Sequence, residues 1–270
     1  MNLSKPAVVC LVVVAMCGCV GCDSDVRAVK IAAWKGDAMA QYNLGVMYEK
    51  GNNLREMNSD GSSSPSKVVL PQDYAQAAKW YRAAAEQGLA DAQNDLGKMY
   101  LKGKGVTQDH AEAMKWRRLA AERGHVGAQY WLGAKYHHSI GVPQDDAEAV
   151  KWYRLAADQG DAMAQEALGD LYRQGKGVPR DYAEAVRLYR LSAEQGWTVA
   201  HLTLGELYEK GEGVPQDSVE AYAWYYVGDK CGLSNAWTSR KELAGRLTPD
   251  QVSAGQKRGT ELLDKISSKQ

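Results

Sequence analysis

The sequence predicts an all-α solenoid, and three observations carry the prediction. The pair Leu-Gly occurs at Leu44-Gly45 and then at Leu96-Gly97, Leu132-Gly133, Leu168-Gly169 and Leu204-Gly205, the last four at intervals of 36 residues. A period of this length marks a stack of like supersecondary units, each burying its apolar face on its neighbours. Within each unit the apolar residues fall at helical spacings, and the residues between them are those of helix starts and stops. Such a stack offers a long surface and no single deep pocket, so its default use is to bind another macromolecule.

In chain order, residues 1–21 come first and differ from everything after them. Lys5 precedes the apolar run AVVCLVVVAMCGCVG, long enough for a signal-peptide core and too short for a membrane span. Four of the five cysteines, Cys10, Cys17, Cys19 and Cys22, lie here. Small residues precede Cys22 and the polar run Asp23-Ser24-Asp25 follows it, which resembles the lipobox of bacterial lipoproteins, where the cysteine takes a lipid and becomes the first mature residue. Cys19 stands where that pattern favours Leu and, with Gly18 before it, is a rival site. The resemblance implies a lipoprotein signal over 1–21, lipid attachment at Cys22, a tether over 22–27, and a chain anchored on the periplasmic side of a bacterial membrane. Asp23 resembles an inner-membrane retention signal, but that rule differs among bacteria, so both membranes stay open. Once Cys22 carries lipid, Cys231 is the only other mature cysteine, and it reads as a buried structural thiol with no disulfide partner.

The repeat unit follows. Its first helix carries the pattern A-x-x-x-L-G-x-x-Y, as in Ala164, Leu168, Gly169 and Tyr172. A mid-helix glycine costs about 1 kcal/mol against alanine, which makes sense where the missing side chain lets another helix come close. The second helix begins at Asp73, Asp109, Asp145, Asp181 and Asp217, with Gln76, Glu112, Glu148, Glu184 and Glu220 three residues on. That is an N-cap with a capping-box partner, five times over. Pro143, Pro179 and Pro215 stiffen the loop two residues before the cap, and Gly88, Gly124, Gly160 and Gly196 stop the helix in a left-handed C′ position. Ala77, Trp80 and Ala84, with Ala113, Trp116 and Ala120, form an apolar stripe in which Trp80, Trp116, Trp152 and Trp224 are core spacers and Leu188 fills the fourth unit.

These residues resemble the Sel-one-like repeat, a relative of the tetratricopeptide repeat built from paired antiparallel helices. The resemblance covers residues 28–232 and implies a right-handed α-solenoid of about five helix pairs. The stretch from Leu247 resembles the capping helix of such arrays, with Thr248 as N-cap and Pro249 as first helical residue, so 233–270 reads as a C-terminal cap. Two departures stand out. The chain from Gly51 to Asp73 is much longer than its counterpart from Gly103 to Asp109, and 52–69 has the composition of an inserted flexible loop. His137-His138-Ser139-Ile140-Gly141 replaces the usual Gly-x-Gly turn, which predicts a stiffer or differently shaped connection.

Several chemistries find no footing. Lys plus Arg and Asp plus Glu both total 33, which leaves no basic field for nucleic acid. The Gly-Lys-Gly turns at Gly103 and Gly175 lack the Lys-Ser/Thr of a phosphate loop. His137 and His138 are adjacent and point about 100° apart on a helix, so they do not form a chelating i, i+4 pair, and no metal or cofactor is expected. No Gly-x-Ser-x-Gly elbow and no Cys-His pair appears, so an enzyme has no residues to rest on.

What varies between repeats is informative. First-helix positions i, i+4 and i+7 share one face, and first helices line the concave surface of related solenoids. If that placement carries over, the candidate partner-binding residues are Tyr42, Asn94, Lys98, Tyr130, Trp131, His137, Glu166, Asp170, Arg173 and Glu206, running from aromatic to acidic. The expected function is a non-catalytic, protein-binding lipoprotein. Resemblance to Sel-one-like lipoproteins implies an immunity protein that neutralises a secreted effector, such as a type VI phospholipase. The alternative is a scaffold for envelope or exopolysaccharide assembly. Cysteine-rich members proposed to act on cell-wall or β-lactam substrates carry a cysteine pair in nearly every repeat, which this chain lacks.

Overall fold

The computed structural model describes residues 22–51 and 70–268, with side chains from residue 26 onward. The expected signal segment 1–21 and the expected loop insertion 52–69 lie outside the described residues. Among the described residues there are thirteen α-helices, and Leu70 forms a lone bridge. None of these helices is long and apolar enough to cross a membrane. Two compact units divide between His125 and Val126. The first holds α1 (Cys22–Trp34), α2 (Ala38–Lys50), α3 (Tyr74–Glu86), α4 (Ala90–Lys102) and α5 (His110–Glu122). The second holds α6 (Val126–His137), α7 (Asp146–Asp158), α8 (Ala162–Gln174), α9 (Tyr182–Ala193), α10 (Thr198–Lys210), α11 (Ser218–Lys230), α12 (Ser234–Ala244) and α13 (Pro249–Ser267). From α1 to α12, even-numbered helices are first helices of the repeat and odd-numbered ones are second helices. Residues 22–27, read as a tether, are the opening turns of α1.

The predicted helix starts are found, with one correction. Asp73, Asp109, Asp145, Asp181 and Asp217 each take extended backbone, and each carboxylate accepts an N–H from the first turn. The reciprocal half of the capping box is not made at these five positions. Each cap N–H is already donated to a carbonyl of the preceding helix, from Asp73 to Tyr48, Asp109 to Tyr100, Asp145 to Tyr136, Asp181 to Tyr172 and Asp217 to Tyr208, at 2.8–3.1 Å. The freed carboxylates of Glu112, Glu148 and Glu184 pair instead with Lys115, Lys151 and Arg187 one turn on, and that of Glu220 pairs with Arg258. A complete capping box does head α13, where the Thr248 hydroxyl accepts from the Gln251 N–H and the Gln251 amide oxygen accepts from the Thr248 N–H.

The second helices end at left-handed Gly88, Gly124, Gly160 and Gly196, as expected. The third unit's turn keeps the ordinary shape rather than a new one. Ser139 sits at φ 54°, in the place of Gly103 and Gly175 at 64° and 68°, and the Ile140 N–H reaches the Lys135 carbonyl as the Lys104 N–H reaches Met99. A left-handed conformation costs a side-chain-bearing residue about 1–2 kcal/mol, so strain replaces the expected change of shape.

The mid-helix glycines mark close approaches. A Cβ on Gly45, Gly133, Gly169 or Gly205 would lie 2.3–3.0 Å from a ring carbon of Tyr81, Tyr153, Tyr189 or Tyr225. These tyrosines, each one residue after the tryptophan position, are the large fully buried side chains of the second helices. Trp80 and Trp224 are buried with them, whereas Trp116 and Trp152 are half-buried. Between units of the repeat, the buried first-helix amides of Gln41, Gln93 and Gln165 donate to the carbonyls of Ala33, Ala85 and Ala157, and Gln41 and Gln165 accept in turn from Gln87 and Gln195. Buried polar groups bonded in this way fix the register of neighbouring helices.

The carboxy-terminal segment is more than a cap. Helix α12 stands 36 residues after α10 and is a sixth first helix, but Arg240-Lys241 replaces its Leu-Gly pair. That substitution puts charge where a following helix would need an apolar seat. Helix α13 lies instead on α11, where Gly255 and Gly259 come against the rings of Tyr222 and Tyr226. Cys231, expected to be buried, is exposed, because it follows the last turn of α11 at the surface position that Gln159 and Gln195 hold after α7 and α9.

Candidate partner-binding face

The first-helix face is built from positions at the edge of the core, against which Tyr42 and Tyr130 are partly packed. In the first unit, the phenol of Tyr42 rests 5.6 Å from the Tyr81 ring and donates to Asp95 at 3.1 Å, which also pairs with Lys98 at 2.9 Å. Asn94 departs from the surface position expected of it. It is 2% exposed, because its short side chain stays beneath its neighbours, where its amide donates to Asp95. Asp95 is the hub of this cluster. Arg117 stands where the other repeats bury a tyrosine, and burial pushes its guanidinium down to about 10 against the opposing pull of Asp95. Tyr81 donates to Glu49 at 2.6 Å, so a buried phenol holds a surface carboxylate.

In the second unit the structure gathers more of the expected residues. Tyr130 is half-buried against Tyr153, with ring centroids 5.7 Å apart. Glu166 lies within electrostatic reach of Tyr130, and burial pushes its carboxyl up to about 7, with the charge of Asp170 adding and that of Arg173 opposing. Asp170 accepts from the buried Tyr189 phenol at 2.6 Å and from Arg173 at 3.3 Å, and Arg173 reaches Glu206 at 3.9 Å. Tyr225 likewise donates to Glu209, at 2.9 Å, which Arg246 also engages. Tyr130, Glu166, Asp170, Arg173 and Glu206 therefore share one patch. Trp131 stacks under Lys135 at 5.0 Å, and His137 is taken up by the Asp146 carboxylate at 2.6 Å across the turn.

The patch can recognise charge and present an aromatic edge. Its Asp170 carboxylate is held by the buried Tyr189 phenol and by Arg173, so that group has little freedom left to lose on binding. No nucleophile stands beside a base in it, and among the described residues no cluster of His, Cys, Asp and Glu is fit to hold a metal ion. The phenols Tyr81, Tyr189 and Tyr225 and the hub Asp95 were not singled out in the sequence. The signal for the tyrosines was there in their recurrence at 36 residues, immediately after the tryptophan position.

The family model of the Sel1 repeat matches residues 38–58, 68–89, 90–125, 126–161, 162–197 and 198–226. Among solved structures, a Sel1 repeat protein from Oxalobacter formigenes is 33% identical over 86% of this chain and 86% of its own, with a TM-score of 0.62. A protective antigen present in uropathogenic Escherichia coli strains, displaying an SLR fold, is 26% identical over 91% of this chain and 57% of its own, with a TM-score of 0.57. An immunity protein from Pseudomonas aeruginosa is 20% identical over 86% of this chain and 81% of its own, with a TM-score of 0.41, too distant to bear on function. No curated protein matches the chain.

Proposed function

The chain belongs to the Sel1 repeat family, whose members are in general non-catalytic scaffolds that bind protein partners, and from that premise we propose that it is a membrane-anchored lipoprotein that holds a protein partner on its first-helix face. One observation supports this most: the residues that repeat are spent on the core, and the residues that vary between repeats meet in the patch of Tyr130, Glu166, Asp170, Arg173 and Glu206. Asp170 and Glu206, with Glu166 half ionised at neutral pH, outweigh the one guanidinium and favour a partner that presents basic side chains. Tyr130 is the aromatic anchor, and Trp131 and His137 flank it on the same helix. Tyr42 and Lys98 are candidate contacts of the first unit.

The anchor is proposed at Cys22, on the strength of its lipobox-like surroundings, with the protein facing the periplasm. Neutralisation of a secreted effector, such as a type VI phospholipase, is the partner role we favour, because a lipid-anchored repeat array with a varied binding face has the parts that occlusion of a toxin requires. The test is binding of a candidate effector to purified protein. Tyr130→Ala is expected to weaken it by about 2 kcal/mol, since buried aromatics dominate interfaces, with the helical spectrum unchanged. Arg173→Ala is expected to change the salt dependence of association. Unchanged affinity in Tyr130→Ala and in Glu166→Ala together would remove the patch from the interface.

A further inference from the structure

We propose that the exposed face of α1 is a membrane-surface contact that lays the amino end of the array on an anionic lipid bilayer. The inference rests on the lipoprotein reading for its setting, and on the residues of α1 for its content. Arg27, Lys30, Ile31 and Trp34 fall at i, i+3, i+4 and i+7 of the helix, with Lys35 just past its end, so they form one stripe. Trp34 is 74% exposed and Ile31 51%, and Met39 adds to them across the turn at the start of α2.

Nothing in the repeat calls for an indole at this place. The equivalent residues of the later second helices are Glu86, Glu122, Asp158, Glu194 and Lys230, all charged as a solvated position should be. The Trp34 ring is held edge-on against Trp80, with centroids 5.3 Å apart, so it is presented rather than loose. Tryptophan and isoleucine flanked by lysine and arginine is the pattern of a helix lying in the headgroup region, where the rings enter the acyl boundary and the cations stay with the phosphates. The acids of this segment are Asp23 and Asp25 in the first turn of α1, and Asp37, which caps α2 through the Ala40 N–H, so the cations Lys30 and Lys35 are the charges nearest Trp34 in the stripe.

Cys22 is the first residue of α1 and Trp34 the last, a separation of about 18 Å along a helix. A lipid on Cys22 would therefore hold this stripe within about 18 Å of its point of attachment. A single hydrophobic anchor fixes position but not orientation. The stripe supplies a second point of attachment and so fixes how the first unit stands on the membrane.

The test uses the full chain, purified from membranes and reconstituted into phosphatidylethanolamine–phosphatidylglycerol vesicles whose acyl chains carry bromine near the headgroup, a short-range quencher of indole fluorescence. The expected result is quenching that falls at least threefold in Trp34→Tyr, with every other tryptophan in place and the circular dichroism unchanged. Lys35→Glu should lower the quenching in phosphatidylglycerol vesicles and not in phosphatidylcholine ones. Equal quenching in the parent and Trp34→Tyr, or none in the parent, overturns the proposal. So does a parent that self-associates in detergent-free buffer while Trp34→Glu does not, since a second copy is then the occupant. The mass of the Cys22 peptide, read on the same sample, separates the two readings. An acylated but unquenched protein overturns the contact alone, and a quenched but unacylated protein overturns the lipid anchor and keeps the contact.

Discussion

Replacing Gly205 by alanine adds one carbon at the tightest of the glycine–tyrosine contacts. The new Cβ would lie 2.3 Å from Cε1 and 2.4 Å from Cδ1 of Tyr225, where carbon atoms rest at about 3.5–4.0 Å. The ring must retreat by about 1 Å, yet it is 2% exposed and its phenol is tied to Glu209 at 2.9 Å. Overpacking costs about 1–3 kcal/mol, and at this tightest contact the upper part of that range, about 2–3 kcal/mol, applies; alanine returns about 1 kcal/mol of helix propensity, so the expected net loss is about 1–2 kcal/mol. At Gly169 the nearest ring carbon is 3.0 Å away, and the two effects should nearly cancel. Thermal unfolding followed by circular dichroism resolves the order, because 1 kcal/mol moves the midpoint by about 2–4 °C in a chain of this size. A Gly205→Ala protein as stable as the parent, or less affected than Gly169→Ala, would refute the argument that the glycines exist for the rings.

Other outcomes follow from the same contacts. Gly133→Leu, starting 2.6 Å from the Tyr153 ring, should lose more stability than Gly205→Ala, and an unchanged melting temperature would show that the two helices do not meet there. Ser139→Gly should raise stability by about 0.5–1 kcal/mol by relieving the left-handed residue, whereas Ser139→Ala should not; a destabilised glycine variant in thermal unfolding would refute the strain. Glu166 holds its proton more tightly in the folded chain, with a pKa of about 7, than in the unfolded one, so stability should fall as pH rises from about 4.5 to about 7. Glu166→Gln lacks that loss, and its melting advantage over the parent should be larger at pH 8 than at pH 5. Cys22→Ala should release the protein from the membrane fraction; retention there, with lipid found on Cys19, would move the anchor.

The repeat, its helix ends and its core glycines were legible in the sequence because each is a local rule applied at a fixed period. What the sequence did not yield were contacts that depend on competition between partners. A capping box looks complete from Asp181 and Glu184, but the Asp181 N–H belongs to Tyr172 in the preceding helix, and Glu184 turns to Arg187. Ser139 hid its role for a related reason: the turn geometry outweighs the preference of the residue placed in it. Part of the patch could be read by assigning helix faces, as with Glu166 and Asp170. Asn94 could not, since its burial follows from the length of its side chain relative to its neighbours. The phenols that hold the carboxylates lie on the partner helix, which a survey of first helices alone does not reach.

The backbone bond from each second-helix aspartate to the tyrosine before it acts as a clasp that takes no notice of the chain between its ends. Tyr48 and Asp73 close at 2.8 Å with a long segment between them, as tightly as Tyr172 and Asp181 do at 3.0 Å with a short one, and Gln72 still reaches the Glu49 carbonyl as Gln108 reaches Leu101. The entropy of closing a loop grows only with the logarithm of its length, so a hairpin shut by its own fasteners can carry a graft at little expense to stability. The turn between first and second helices is thus a port where new binding matter can be added, one repeat at a time, without disturbing the stacking that the rest of the chain depends on.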